Sequence, residues 1–338
     1  MITTPTVLIV GAGGSVPYGY PVGSELRKQI IEHATNLKYY VAQKILGECS
    51  SATESRSTRE AEAQIKEFSD TFRQSRMYSI DAFLERNPRF LDIGKAAIAE
   101  RLLKCQNVNN FNQDDDWYRY LFNRVSTPKY EELKNNRLKI LTFNYDVSLE
   151  KYLRIAIKNT YSESNISDDN ARQIQEECFP VVHLYGSLLD DEDYEHEFNL
   201  NRLHACVQNI KIISESERDI ETPEFQKAHQ WISEAEKIVF ARFGFDETNV
   251  ERLQINEKFK GTEIFSSAYG FTDAVIGEKI YYPLHKLWQV DSSEPKNKMR
   301  FTDLWKIKMH PNSREDFLRF VSTKTLPQAF DDCGMLFD

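Results

Sequence analysis

A few side chains of this sequence have the types and spacing that chemistry needs. Asn144 and Asp146 stand two residues apart, where the apolar run from Leu138 to Phe143 gives out and an amphipathic segment begins at Val147. In an open α/β sheet, ligands gather at the carboxyl ends of strands, where the chain turns into helices. A short amide there can donate to a ligand and accept from it, and a carboxylate can bind or orient one. The same pair also suits a helix cap, because Asn and Asp side chains accept from first-turn amides. His183 carries an imidazole, the side chain that exchanges a proton nearest neutral pH. Gly11, Ala12, Gly13 and Ser15 follow the first apolar run, where glycines let backbone amides approach a diphosphate. Gly244, Asp246 and Asn249 form a second glycine-plus-polar turn. Asp81, in Ser79–Leu84, reads as the start of a helix.

Strands must carry these residues. Thr6–Val10, 138–146, 179–187, 237–243 and 262–268 are short apolar runs, each expected to be a buried strand. Alternation along Phe179–Ser187 places Val182 and Leu184 on one face and His183 and Tyr185 on the other. Ser24 is expected to cap a helix through Leu26, Ile30 and Ile31, and Thr222-Pro223-Glu224 to open one over 222–236. From 37 to 130 the strand signal disappears, and a helical insertion with core aromatics is expected. Tyr161–Asn170 and Asp190–Glu195 read as polar loops. A strand pair over 280–288, a last strand over 305–309 and a helix over 313–320 are expected in a C-terminal extension, 271–338, that completes the domain or mediates oligomerisation. The whole is one α/β domain over 1–338: a Rossmann-like, mostly parallel sheet with a helical insertion.

Bulk properties narrow the class. Of 338 residues, 41% are hydrophobic and 28% charged, which suits a globular chain. No apolar run approaches the length of a membrane span, and the N-terminus does not read as a signal peptide. The five cysteines form no Cys-x-x-Cys pair, so neither a zinc site nor a disulfide framework is suggested, and reduced thiols in a cytoplasm are expected. A net charge of −9 without a basic run disfavours direct nucleic-acid binding. The Gly-x-Gly-x-x-Gly fingerprint is incomplete, because Val16 holds its last position and no acidic residue ends a second strand about 20 residues on. A hydride-transfer dehydrogenase is therefore a poor match, and a nucleotide-diphosphate site a fair one.

Four polar or glycine-rich strand ends in this order form a specific set. Gly11-Ala12-Gly13-Gly14-Ser15, Thr142-Phe143-Asn144-Tyr145-Asp146 and His183-Leu184-Tyr185-Gly186-Ser187 resemble the nucleotide loop, the Thr-Gln-Asn-Ile-Asp motif and the His-Gly-Ser region of the sirtuin superfamily. With Gly19-Tyr20-Pro21, Glu25-Leu26, Ser79–Leu84 and Gly244–Asn249, the set is similar to the sirtuin-like effectors of bacterial antiphage defence. The resemblance spans roughly residues 6 to 270. It implies a hydrolase that cleaves NAD⁺, as substrate and with no prosthetic group or metal, into nicotinamide and ADP-ribose, depleting cellular NAD⁺ in abortive infection. Asn144 and His183 would be catalytic, with Asp146 and Tyr185 as further candidates. Gly11, Ala12, Gly13 and Ser15 would cradle the diphosphate, and Gly244, Asp246 and Asn249 would close the adenosine side. It further implies gating by homo-oligomerisation or by a separately encoded partner such as a HerA-like ATPase. Two departures stand out: the zinc module of the deacylases is missing, and Tyr185 occupies the place of the usual histidine, with His183 two residues earlier. The alternatives are an NAD⁺ or ADP-ribose sensor without turnover, and a zinc-less protein deacylase.

Overall fold

The computed structural model describes residues 1–45, 54–77, 79–112, 117–189, 199–212, 222–255 and 263–267. Its centre is β1 (Thr6–Val10), a Thr-Val-Leu-Ile-Val run with all five residues buried. Burial on both faces is what a continuous apolar run requires. β1 pairs in parallel with β2 (Leu138–Thr142), and on its other side with β4 (Lys237–Ala241). Outside these lie β3 (Val181–His183) and β5 (Glu263–Ser266), giving the all-parallel order β3-β2-β1-β4-β5. The order reverses beside β1, so the switch point of this α/β sheet falls between the exits of β1 and β4. Val10, Thr142 and Ala241 are level in the register, and His183 is level with Thr142. The four expected strand ends thus share one rim.

Between β1 and β2 run α1 (Gly23–His33), α2 (Lys38–Tyr40), α3 (Glu54–Ser75), α4 (Ile80–Arg86), α5 (Leu91–Leu103) and α6 (Trp117–Val125). No strand occurs among the described residues of this stretch, and most of its described aromatics are core, with Tyr39 exposed. Phe68, Phe72, Phe83 and Phe90 pack together with ring centroids 4.7 to 6.1 Å apart. Ser24 is not the cap of α1. The helix starts one residue earlier, with extended Val22 at its boundary and Leu26 N–H on the Val22 carbonyl at 2.8 Å.

After β2 come α7 (Ser148–Thr160) and α8 (Asp168–Cys178), so the polar loop expected over Tyr161–Asn170 gives way to helix at Asp168, capped by Ser167. β3 leads on to α9 (Leu200–Asn209) and α10 (Pro223–Glu234), whose expected cap, Thr222, accepts from the Phe225 amide. β4 leads to α11 (Glu247–Arg252). The stretches 190–195, 280–288, 305–309, 313–320 and 271–338 lie outside the described residues. No helix among the described residues is long and apolar enough to cross a membrane.

The turn after β3 depends on Gly186, whose φ is +73° and whose missing Cβ leaves room for the Asn209 carbonyl. Gly186→Ala is expected to destabilise by about 1–3 kcal/mol, from a left-handed alanine pressed on backbone. Gly244 is exposed with open space around it, and Gly244→Ala should fall within about 0.5 kcal/mol of wild type when both variants are unfolded in urea.

Candidate functional site

The exits of β1 and β4 are pressed together. Gly11 N–H donates to the Ala241 carbonyl at 3.1 Å, and a Cβ on Gly11 would stand 2.7 Å from both the Arg242 oxygen and the Phe243 Cα. Glycine at position 11 therefore serves this approach, whatever else it does. The turn then tightens, with the Gly14 and Ser15 amides donating to the Gly11 and Ala12 carbonyls at 2.8 and 3.3 Å. Ala12 is exposed and Gly13 half-buried at the rim. Among the described residues no acceptor meets the Ala12 or Gly13 amide. Trp117 holds the loop from beneath, its indole N–H donating to the Gly14 carbonyl at 2.8 Å.

Asn144 sits against this loop and is 8% exposed. Its Nδ2 donates to the Gly11 carbonyl at 3.1 Å and to Ser15 Oγ at 2.9 Å. A carbonyl can only accept, so this contact fixes which end of the amide is nitrogen. Its Oδ1 is buried and has no hydrogen-bond partner. Buried polar atoms are nearly always satisfied, and an orphan beside a glycine loop points to a donor supplied by a ligand or water. Asn144 touches no helix amide, so the capping role separates from it.

Val147 at the cap position of α7 gives no side-chain bond, and Asp146, one residue before it, comes nearest to that role. Its Oδ1 accepts from the Ser148 amide at 3.2 Å and from the Ser148 hydroxyl, which also meets Tyr118 Oη at 2.7 Å. Ser15, itself buried, takes the Asn144 side-chain hydrogen and lies near enough to Asp146 to lower its pKa. Burial raises the Asp146 pKa, against the bonds from Ser148 and Ser15.

His183 and Tyr185 diverge. β3 ends at His183, so the alternation of a strand does not carry through to Tyr185. His183 Nδ1 lies 2.7 Å from the Asn144 carbonyl oxygen, and Nε2 lies 2.6 Å from Glu150 Oε1 on α7. Burial opposes charge on the imidazole, but the Glu150 carboxylate and the two hydrogen bonds outweigh it, and the His183 pKa is raised. Tyr185 turns instead toward α11, donating to Asn249 Oδ1 at 2.6 Å and accepting from Arg252 Nη1 at 3.0 Å. Burial raises its pKa too. The polar ends of both side chains are engaged by protein. Asn249 is likewise committed to Tyr185, and exposed Asp246 caps α11 through the Asn249 amide at 3.3 Å.

Two residues were not legible as part of this rim. Glu150 carried no expectation, although a glutamate in step with Leu153 and Ile157 on the buried side of α7 is a visible anomaly. Asp81 does lie in the first turn of α4, with Ser79 as the cap, and it also accepts from the Tyr145 hydroxyl at 3.2 Å. Burial raises its pKa most, the bonds from Tyr145 and Ser79 lower it, and the Asp246 charge raises it. A carboxyl with a raised folded pKa adds stability below its unfolded value, about 3.9, and loses it as pH climbs through the folded one. Asp81→Asn removes the charge and keeps one acceptor oxygen, for the Tyr145 hydroxyl, while its NH2 takes the place of the oxygen that faces Ser79 Oγ. Its melting temperature is expected to exceed wild type at pH 8 and to lose that advantage toward pH 4, by calorimetry across the range.

No group of three or more His, Cys, Asp or Glu that could hold a metal ion occurs among the described residues. Compared with protein-family models and with curated proteins, the chain matches none of them.

Proposed function

We propose that this chain hydrolyses NAD⁺ at the nicotinamide–ribose bond, giving nicotinamide and ADP-ribose. The observation that carries the reading is the orphaned Oδ1 of buried Asn144, held at the carboxyl end of β2 against the glycine loop at the sheet's switch point. The sirtuin-like motif set supplies the choice of NAD⁺.

The leaving nicotinamide is already cationic, so its departure needs no acid. Catalysis then consists of holding the ribose and stabilising an oxocarbenium-like transition state. Asn144 Oδ1 accepts from a ribose hydroxyl or from the attacking water. Ser15 holds the nitrogen of the amide, and Asp146 lies beside Ser15. The Ala12 and Gly13 amides face the diphosphate, with Gly244 and Asp246 on the adenosine side. The bond between C1′ and the ring nitrogen breaks with its electron pair going to nicotinamide, water oxygen bonds to C1′, and one proton goes to solvent.

One observation favours a second reading, a sensor that binds NAD⁺ or ADP-ribose without turnover: neither nitrogen of His183 is left to activate water. A constitutive hydrolase would poison its own cytoplasm, so the hydrolase reading carries gating with it, by self-assembly or by a partner such as a HerA-like ATPase, in antiphage defence. Incubation of the purified chain with NAD⁺, alone and with partner, followed by separation of products, decides. Nicotinamide released without an acyl-lysine peptide supports the hydrolase. Saturable binding with NAD⁺ recovered intact supports the sensor, and release only with an acyl-lysine peptide supports a deacylase.

A further inference from the structure

The pair His183–Glu150 is nearly closed to solvent, with side-chain exposures of 11% and 8%. Glu150 stands in the first turn of α7, where the positive end of the helix favours a carboxylate. Counting protons on the pair fixes its chemistry. Nδ1 faces a carbonyl oxygen, which only accepts, so Nδ1 carries a hydrogen. Nε2 stands 2.6 Å from a carboxylate oxygen, a separation that needs a proton between them. With one hydrogen on each side, the imidazole has no lone pair to take another. Glu150 from α7 and Asp146 from the turn before it are the charged groups that act on the ring.

The other end of this arrangement is Asn144. Its amide N–H donates to Thr142 Oγ1 at 3.0 Å, its side-chain nitrogen is held by Gly11 and Ser15, and its carbonyl is held by His183. Three strand exits therefore grip one residue, and Oδ1 alone stays uncommitted.

We propose that His183 and Glu150 are positioning residues, a buried clamp on the Asn144 carbonyl that fixes the aim of Oδ1, and that His183 is not a proton acceptor in the reaction. The proposal rests on the reading of Asn144 as the ribose contact. A misplacement of about 1 Å at a reacting centre costs on the order of 10²-fold in rate. Glu150→Gln and His183→Gln are each expected to lower kcat for nicotinamide release by about 10²-fold with KM within about threefold, and the double variant should be no slower than either.

The test combines these rates with nitrogen NMR of histidine-labelled full chain, whose wild-type arm needs no variant to fold. In wild type at pH 7.5 both His183 nitrogens should report attached protons, and in Glu150→Gln only Nδ1 should. The kcat profile of wild type should show no ascending limb that His183→Gln abolishes. A bare His183 nitrogen in wild type overturns the clamp, as does a Glu150→Gln variant that turns over at the wild-type rate. If no nicotinamide appears from any form while the nitrogen signals behave as stated, the clamp stands and the NAD⁺ reading falls.

Discussion

Asn144→Ala is expected to lower kcat for nicotinamide release by about 10²–10³-fold, the usual loss when one preorganised group aimed at a developing charge is removed. The effect on folding is far smaller. Alanine gives up two neutral hydrogen bonds, to Gly11 and Ser15, at a cost of about 1–3 kcal/mol. Circular dichroism should therefore report a native spectrum while activity is lost. Asn144→Asp is no conservative exchange, because it sets a carboxylate oxygen against the Gly11 carbonyl where a donor stood. It should be as inactive as the alanine variant and less stable.

Trp117→Ala carries the largest expected effect on stability. The indole is 1% exposed, meets Tyr118 edge-on with centroids 4.6 Å apart, and is the side chain that holds the Gly14 carbonyl. Removing a buried aromatic of this size costs about 3–5 kcal/mol. The glycine loop loses its floor at the same stroke, so KM for NAD⁺ should rise beyond what global stability explains. Trp117→Phe keeps part of the packing and drops only the N–H bond, and should recover most of the stability but not the loop's order. Urea unfolding and nicotinamide release on both variants check this.

Much of the rim was legible because its strands are continuous apolar runs that end abruptly. Thr6–Val10 and Lys237–Ala241 could be read directly, since burial on both faces leaves no polar position after the first residue of each. Strand order could not be read, because its centre depends on pairs of β1 with β2 and with β4, runs more than a hundred residues apart. The reading of His183 and Tyr185 as side chains sharing one face failed for a local reason. It extended strand alternation past the last strand residue, and the chain turns there toward the left-handed Gly186.

The unnoticed helices have physical explanations too. α8 buries Ala171, Gln175 and Cys178, all small or polar, so the apolar period is hidden. In α9 the inward residues Arg202, Leu203, Cys206 and Val207 include a buried arginine. Glu150 breaks the apolar stripe of α7, but a glutamate in a first turn is also common, and only His183, 33 residues on in the chain and 2.6 Å away in space, makes it a partner. The separation of roles between Asn144 and Asp146 needed coordinates, since either could have capped α7 from sequence alone.

The most direct test is the structure of the chain bound to a carbocyclic NAD⁺ analogue, whose ribose ring oxygen is replaced by methylene so that the bond to nicotinamide survives. The expected result has Asn144 Oδ1 taking a hydrogen bond of about 2.7–3.0 Å from a nicotinamide-ribose hydroxyl or from a water facing C1′, with the diphosphate on the Ala12 and Gly13 amides. An analogue seated with its nicotinamide ribose away from Asn144, or none bound at this rim at saturating concentration, would contradict it.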